Sequence, residues 1–309
     1  PKSISRYRWP RRALPARIQP PAAPAPQTSD DHFDGFSIKR QLAAGGLCEI
    51  FLVSGDVSRR GIAMKVLLPA FRDARSAIEN LVNEARILKL LNERHPDEIF
   101  IRVFEQSWFE DADARHPYIL MEYVEGQNLK EIVQSDGALP EAEVFDLVRS
   151  TASALAAVHA EGLAHGDISP ENILRISPGI LSPRRGQRYR LIDFGDARDL
   201  SLPGRTDEIV GKPHFISPEQ CEGFIAGAPS DVYSLGMVFY YLSFGRPAFE
   251  RVNTLEVLGM HRATEVSFPE SAPEDVRWVI QRLVSKDPSD RPTAASAVDL
   301  MDQLASRRT

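Results

Sequence analysis

The sequence predicts an α+β protein of two lobes, a small, mainly antiparallel β lobe over residues 33–125 and a larger, mainly α-helical lobe over 126–309. Three observations predict this. A chain of 309 residues is long for one small core and has the size at which chains divide. Apolar runs of strand length at 36–42, 49–53, 61–67, 99–108 and 118–121 are separated by polar or small-residue turns. From 141 onward, apolar residues recur at helical spacing, first over 141–161 and last over 294–304.

In chain order, residues 1–32 stand apart. Lys2, Arg6, Arg8, Arg11, Arg12 and Arg17 surround Tyr7 and Trp9, and PPAAPAP follows. Proline without periodicity neither propagates a helix nor donates to a sheet, so an extended or disordered arm is expected. It reads as a tether, or as a segment that contacts a regulatory partner or autoinhibits through Trp9 and the arginines. The strands at 36–42 and 49–53 flank the small-residue turn AAGGLC, and a polar turn over 54–60 leads to the strand at 61–67. Lys65 sits inside that strand, in IAMKV; an unpaired ammonium there is costly, which predicts an anionic partner. Residues 77–91 have helical spacing and carry Glu84, with Glu79 as a competing partner. The strands at 99–108 and 118–121 flank the polar turn EDADARH, and Gly126 allows a turn into the second lobe. Gly162 is the expected stop of the helix over 141–161.

The most informative stretch is 165–195. HGDISPEN places Asp167 and Asn172 on a loop before the apolar run 173–176, and the run 189–192 delivers Asp193 into a turn with Phe194 and Gly195. If the two runs pair as a hairpin, Asp167, Asn172 and Asp193 converge. Such oxygen donors suit a magnesium nucleotide, because Mg²⁺ is usually held by one or two carboxylates plus phosphates.

Composition narrows the partners. A net charge of -6 argues against general nucleic-acid binding. Cys48 and Cys221 lie far apart, which gives no disulfide framework and suits a reducing cytoplasm. The most apolar long run, 232–244, is too short and interrupted to span a bilayer. No signal peptide is evident although the sequence opens at Pro1, and a cytoplasmic location is expected.

With GKPHFISPEQ, SDVYSLG and KDPSDRPT following in order, these motifs resemble those of eukaryotic-type (Hanks-type) serine/threonine protein kinases of bacterial type, over about residues 33–304. The resemblance implies the bilobal protein-kinase fold with 77–91 as the regulatory helix, ATP and Mg²⁺ as cofactors, and a protein substrate. It implies that Lys65 and Glu84 pair to set the phosphates, that Asp167 is the base for the substrate hydroxyl, and that Asn172 and Asp193 hold Mg²⁺. The family's three loop glycines fall on Ala43, Gly45 and Cys48; Met121 is the gatekeeper; the backbones of Glu122 and Val124 meet adenine. Cys48 reads as a small residue filling a glycine position, or as an alkylation or redox site. Ser217, Pro218 and Glu219 close the activation segment, Asp231 braces the catalytic loop, and Arg291 pairs with Glu219.

Three departures stand out. Gly166 replaces the arginine that gathers an activation-segment phosphate, which predicts turnover independent of phosphorylation at Ser201 and Thr206. Ser169 replaces the lysine that meets the transferring phosphate, and Lys212 replaces the threonine of a Gly-Thr-Pro segment. The identities look exchanged, so Lys212 is expected to turn its ammonium into the space above Ser169, within about 6 Å of Asp167, where opposite charges act strongly. Two alternatives follow. HGD with IDFGDA is similar to the loops of aminoglycoside and choline kinases, implying a small-molecule phosphotransferase, and the departures together allow a nucleotide-binding pseudokinase.

Overall fold

The computed structural model describes residues 32–33, 36–54, 61–111, 114–177, 188–201, 204–205 and 211–307. The arm expected over 1–32, apart from the backbone of His32, lies outside them, as do Thr206 and most of the turn over 54–60.

The N-terminal part is one antiparallel sheet. Its strands are β1 (His32–Phe33), β2 (Phe36–Gly45), β3 (Cys48–Ser54), β4 (Ile62–Leu67), β5 (Val103–Asp111) and β6 (Ala114–Glu122), in the spatial order β1-β2-β3-β4-β6-β5. All six residues of β4 are buried, as expected of a central strand covered on both faces. Side chains alternate across a strand. Ile62, Met64 and Val66 therefore join a small cluster with Val53, Tyr118 and Leu120 on one face, and Ala63, Lys65 and Leu67 point to the other. That second face is covered by α1 (Arg75–Arg94), whose buried stripe is Ala77, Leu81, Glu84, Ala85, Ile87, Leu88 and Leu91. The spacing is that of an amphipathic helix, with one carboxylate on the covered side.

Two boundaries differ from expectation. The turn EDADARH is mostly strand, with Glu110 opposite Arg115 and Trp108 opposite Pro117; cross-strand pairing carries polar residues to the tip of the hairpin. Ile99, Phe100 and Ile101 are buried but precede β5. Their backbone instead joins the second part of the molecule: Leu191 donates to the Ile99 carbonyl at 2.7 Å, and Ile101 donates to that of Leu191 at 3.0 Å.

The C-terminal part is mainly helical, as expected. It contains β7 (Gly126–Asn128), α2 (Leu129–Asp136), α3 (Glu141–Ala160), β8 (Leu163–Ala164), β9 (Ile173–Ile176), β10 (Tyr189–Leu191), β11 (Arg198–Asp199), α4 (Pro218–Cys221), α5 (Ala228–Phe244), α6 (Thr254–Ala263), α7 (Glu274–Leu283) and α8 (Ala294–Ser306). α5 is buried almost all round, so it is the axis of the core and explains the most apolar run of the sequence. Among the described residues, no helix is long and apolar enough to cross a membrane. Gly126 is needed for close approach rather than for a turn: a Cβ there would stand 2.0 Å from the Arg175 carbonyl oxygen, against which β7 pairs.

Arg291 and Glu219 form the expected pair. The guanidinium meets the two carboxylate oxygens at 2.8 and 2.9 Å, bonds the carbonyls of Pro229, Ser285 and Lys286, and lies over the Tyr233 ring. Its side chain is fully buried. Replacing it with methionine leaves a partly buried carboxylate without its cation, which typically costs about 3–5 kcal/mol. Arg291→Met is expected to lower the urea midpoint with an unchanged slope; a midpoint equal to wild type would show the pair to be energetically neutral.

Candidate active site

The hairpin expected from the sequence exists. β9 and β10 pair antiparallel with Ile173 opposite Leu191, and Ile192 donates to the Asn172 carbonyl at 2.9 Å. Asn172 thus stands opposite Ile192, and Asp193 follows directly, so the ladder carries both residues to the same end of the hairpin. Asp193 has φ of 64°, a left-handed conformation that costs a non-glycine residue on the order of 1–3 kcal/mol and clusters at functional sites. Next to it Phe194 is fully buried, its ring 4.5 Å from His165 and 5.8 Å from Phe100. That packing anchors the turn while the Asp193 carboxylate faces the cleft.

Lys65 has the anionic partners its position demanded. Its Nζ donates to Glu84 Oε1 and Oε2 at 2.8 and 2.7 Å and to Asp193 Oδ1 at 3.1 Å. Burial opposes the ammonium, but Glu84 and Asp193 outweigh it, so Lys65 stays charged well above the usual lysine range. In return the Lys65 ammonium holds the Asp193 carboxyl at about 2. Glu79 is not a competitor: it pairs with Arg75 on the exposed face of α1.

Asp167 is approached from two sides. Asn172 Nδ2 donates to its Oδ2 and to its carbonyl, both at 2.8 Å, and Lys212 Nζ donates to Oδ2 at 2.6 Å. The peptides before it are pinned by Asp231, whose carboxylate accepts from the N–H groups of His165 and Gly166 at 2.8 and 2.9 Å and meets His159 Nε2 at 2.9 Å. The glycine at 166 has a local cause. Its φ is +84°, and a Cβ would lie 2.6 Å from the Asp196 carbonyl oxygen, so any side chain there would be strained and displaced.

The Lys212 ammonium lies well within the expected reach of about 6 Å from Asp167. Besides Asp167 it has Glu171 Oε2 at 3.6 Å, and Glu171 is bonded in turn by Lys130. Lys130, Glu171, Lys212 and Asp167 thus alternate in sign, the last three of them bordering the cleft. Ser169 is fully buried, and its Oγ has no hydrogen-bond partner among the described residues. Sequence reasoning missed Lys130 and Glu171, which carry no motif signal without the fold that makes them neighbours. Ser201 is exposed, and its N–H is taken up by Asp199.

These groups line a cleft of about 790 Å³. Ala43, Gly45, Cys48, Lys65, Glu84, Met121, Glu122, Val124, Asp167, Asn172, Asp193 and Lys212 all border it. Ala43 and Gly45 belong to the hairpin in which Gly45 opposes Cys48. The Glu122 N–H is already bonded to the Arg102 carbonyl at 2.8 Å, which confines an adenine contact at Glu122 to its carbonyl oxygen. Its side chain is turned away, accepting from buried Arg190 at 2.8 Å. Asn172 spends its amide nitrogen on Asp167, leaving Oδ1 as an acceptor, and the Asp193 carboxylate borders the same cleft. Two oxygen donors without a full protein cage are the set that magnesium takes when phosphate completes its shell.

Burial pushes the Cys48 thiol up to about 11. At pH 8 the thiolate fraction is then about one in a thousand, and the thiolate is the reactive form. Iodoacetamide labelling followed by mass spectrometry is expected to find Cys48 alkylated far more slowly than a free cysteine; labelling at the free rate would overturn this. The residue therefore reads as a small side chain in a glycine position.

Comparison with known proteins agrees with the geometry. A family model described as protein kinase domain matches residues 36–301. A serine/threonine-protein kinase of Corynebacterium efficiens is 34% identical over 83% of this chain and 48% of its own length. One of Myxococcus xanthus is 32% identical over 87% of the chain and 32% of its own length. PrkC of Bacillus subtilis is 29% identical over 85% and 39%. The chain spans less than half the length of these relatives.

Proposed function

The chain belongs to the protein kinase family, and on that premise we propose that it transfers the γ-phosphoryl group of ATP to serine or threonine hydroxyls of proteins. The observation that carries the reading is the pair of charge clusters facing one cleft: Lys65 with Glu84 and Asp193, and Lys212 with Asp167 and Asn172. Lys65, held by Glu84, binds phosphate oxygens. Asp167, fixed by Asn172 and Asp231-anchored peptides, orients the acceptor hydroxyl and takes its proton as the oxygen–phosphorus bond forms. The bridging β–γ bond breaks, and ADP leaves with the electron pair. Asn172 and Asp193 would hold Mg²⁺, which neutralises phosphate charge when bound. Most of the rate comes from positioning and charge stabilisation.

Lys212 supplies the charge that Ser169 cannot. Its ammonium reaches the transferring phosphate from the activation segment, and Glu171, held by Lys130, keeps it over the cleft. Because residue 166 cannot accommodate an arginine, turnover does not depend on phosphate at Ser201 or Thr206.

One assay separates the readings: radiolabelled ATP with Mg²⁺, offered to generic protein acceptors and a small-molecule panel by wild type and by Asp167→Ala. Label on protein serine or threonine, lost in the variant, is expected. Label confined to small molecules would make the protein a small-molecule phosphotransferase, and nucleotide binding without transfer would make it a pseudokinase.

A further inference from the structure

Gln220 follows the Ser-Pro-Glu motif and is 6% exposed. Half of its amide has a local task. Oε1 accepts from Ser217 N at 3.2 Å and Ser217 Oγ at 2.9 Å, and Ser217 Oγ accepts from Gln220 N at 3.4 Å, a capping box that starts α4. The other half leaves the helix. Nε2 donates to the Gly166 carbonyl at 3.1 Å, across 54 residues of sequence. The same nitrogen lies near Gly211, where a Cβ, if present, would stand 3.7 Å from it. Gly166 precedes Asp167 and Gly211 precedes Lys212. One buried amide therefore bonds the residue in front of Asp167 and lies near the residue in front of Lys212, the two partners of the 2.6 Å ion pair.

We propose that Gln220 is a positioning residue for phosphoryl transfer, its Nε2 holding the carbonyl before Asp167 beside Gly211, the residue before Lys212, so that the two side chains stay in register. The inference rests on the kinase reading above and deepens it. Asp231 fixes the Gly166 N–H, and Gln220 fixes the carbonyl of the same residue, so the peptides flanking Gly166 are clamped from both sides. Asp167 inherits its backbone direction from this clamp, and Gly211, directly before Lys212, lies beside the same amide. Displacements near 1 Å in such a pair cost about 100-fold in rate.

Capping and positioning make different demands on the side chain. Capping boxes accept glutamate as readily as glutamine, whereas a carboxylate cannot donate to the Gly166 carbonyl. Gln220→Glu therefore keeps the cap and removes the tie, and Gln220→Met removes both. The expected result is that kcat falls about 10- to 100-fold in both variants with KM for ATP unchanged. Hydrogen exchange should quicken in segments 163–168 and 211–215 while α3 and α5 keep wild-type protection. In a Lys212→Met background, Gln220→Glu should add little further loss, since residues acting as a unit are not additive. A Gln220→Glu variant with wild-type turnover and wild-type exchange in both segments would overturn the proposal and reduce Gln220 to a cap. So would exchange that quickens throughout the helical part, or full additivity with Lys212→Met. Failure of the kinase reading would look different: wild type itself would transfer nothing, while exchange would still report whether the tie exists.

Discussion

Lys212→Met lowers the turnover number about 100- to 1,000-fold, the usual cost of removing one preorganised charge from a developing transition state, and leaves nucleotide affinity close to wild type. Lys212 Nζ lies 2.6 Å from Asp167 Oδ2 and 3.6 Å from Glu171 Oε2, so it is held over the acceptor side of the cleft. Lys65, the cation proposed for the phosphates, is bound separately by Glu84 and Asp193 and is untouched by the change. Single-turnover kinetics with a calorimetric measurement of ATP binding distinguish the two effects. A more demanding form exchanges the identities: Ser169→Lys with Lys212→Thr is expected to recover part of the activity that Lys212→Thr alone loses, since the incoming lysine can occupy the space vacated. Turnover of Lys212→Met within about threefold of wild type, under 1 kcal/mol of barrier, would remove Lys212 from the mechanism.

Asp167→Asn is expected to lose about 100- to 10,000-fold in turnover, the range for a positioned general base, while folding and ATP binding persist. The asparagine keeps the size of the side chain, and the bond from Asn172 Nδ2 to the residue 167 carbonyl, 2.8 Å in the wild type, does not involve the altered group. Lys212 then loses its nearest anion and retains Glu171. The measurement is turnover beside ATP affinity and melting temperature. Loss of nucleotide binding in parallel with turnover would mean that Asp167 holds the cleft together rather than acting on the acceptor.

Much of this was legible in the residues because it depends on local pattern. Lys65 in an apolar strand demanded an anion, and Glu84 stood on the covered stripe of the next helix. Asn172 and Asp193 each adjoin an apolar run, and two such runs with a short connection pair as neighbours. Glu219 and Arg291 belonged to intact local motifs. Strand ends were less legible, since the polar tip of the β5–β6 hairpin is held by cross-strand pairing rather than by composition. Lys130 and Glu171 were invisible as a pair, and Gln220 looked like a residue after a motif.

By itself the sequence determined the α+β class, the order of the catalytic motifs and the fact that a charge was missing at 169 and present at 212. Periodicity and spacing encode the class, while the motif order and the departures at 169 and 212 are what the resemblance to the kinase family implies. Only the tertiary structure decided that the charge at 212 reaches Asp167, that residue 166 has no room for a side chain, and that a glutamine amide 54 residues away bonds the Gly166 carbonyl. Each of these is a distance of a few ångströms between segments tens of residues apart. Such distances are set by the packing of α4, α5 and the catalytic hairpin, which no local stretch of sequence contains.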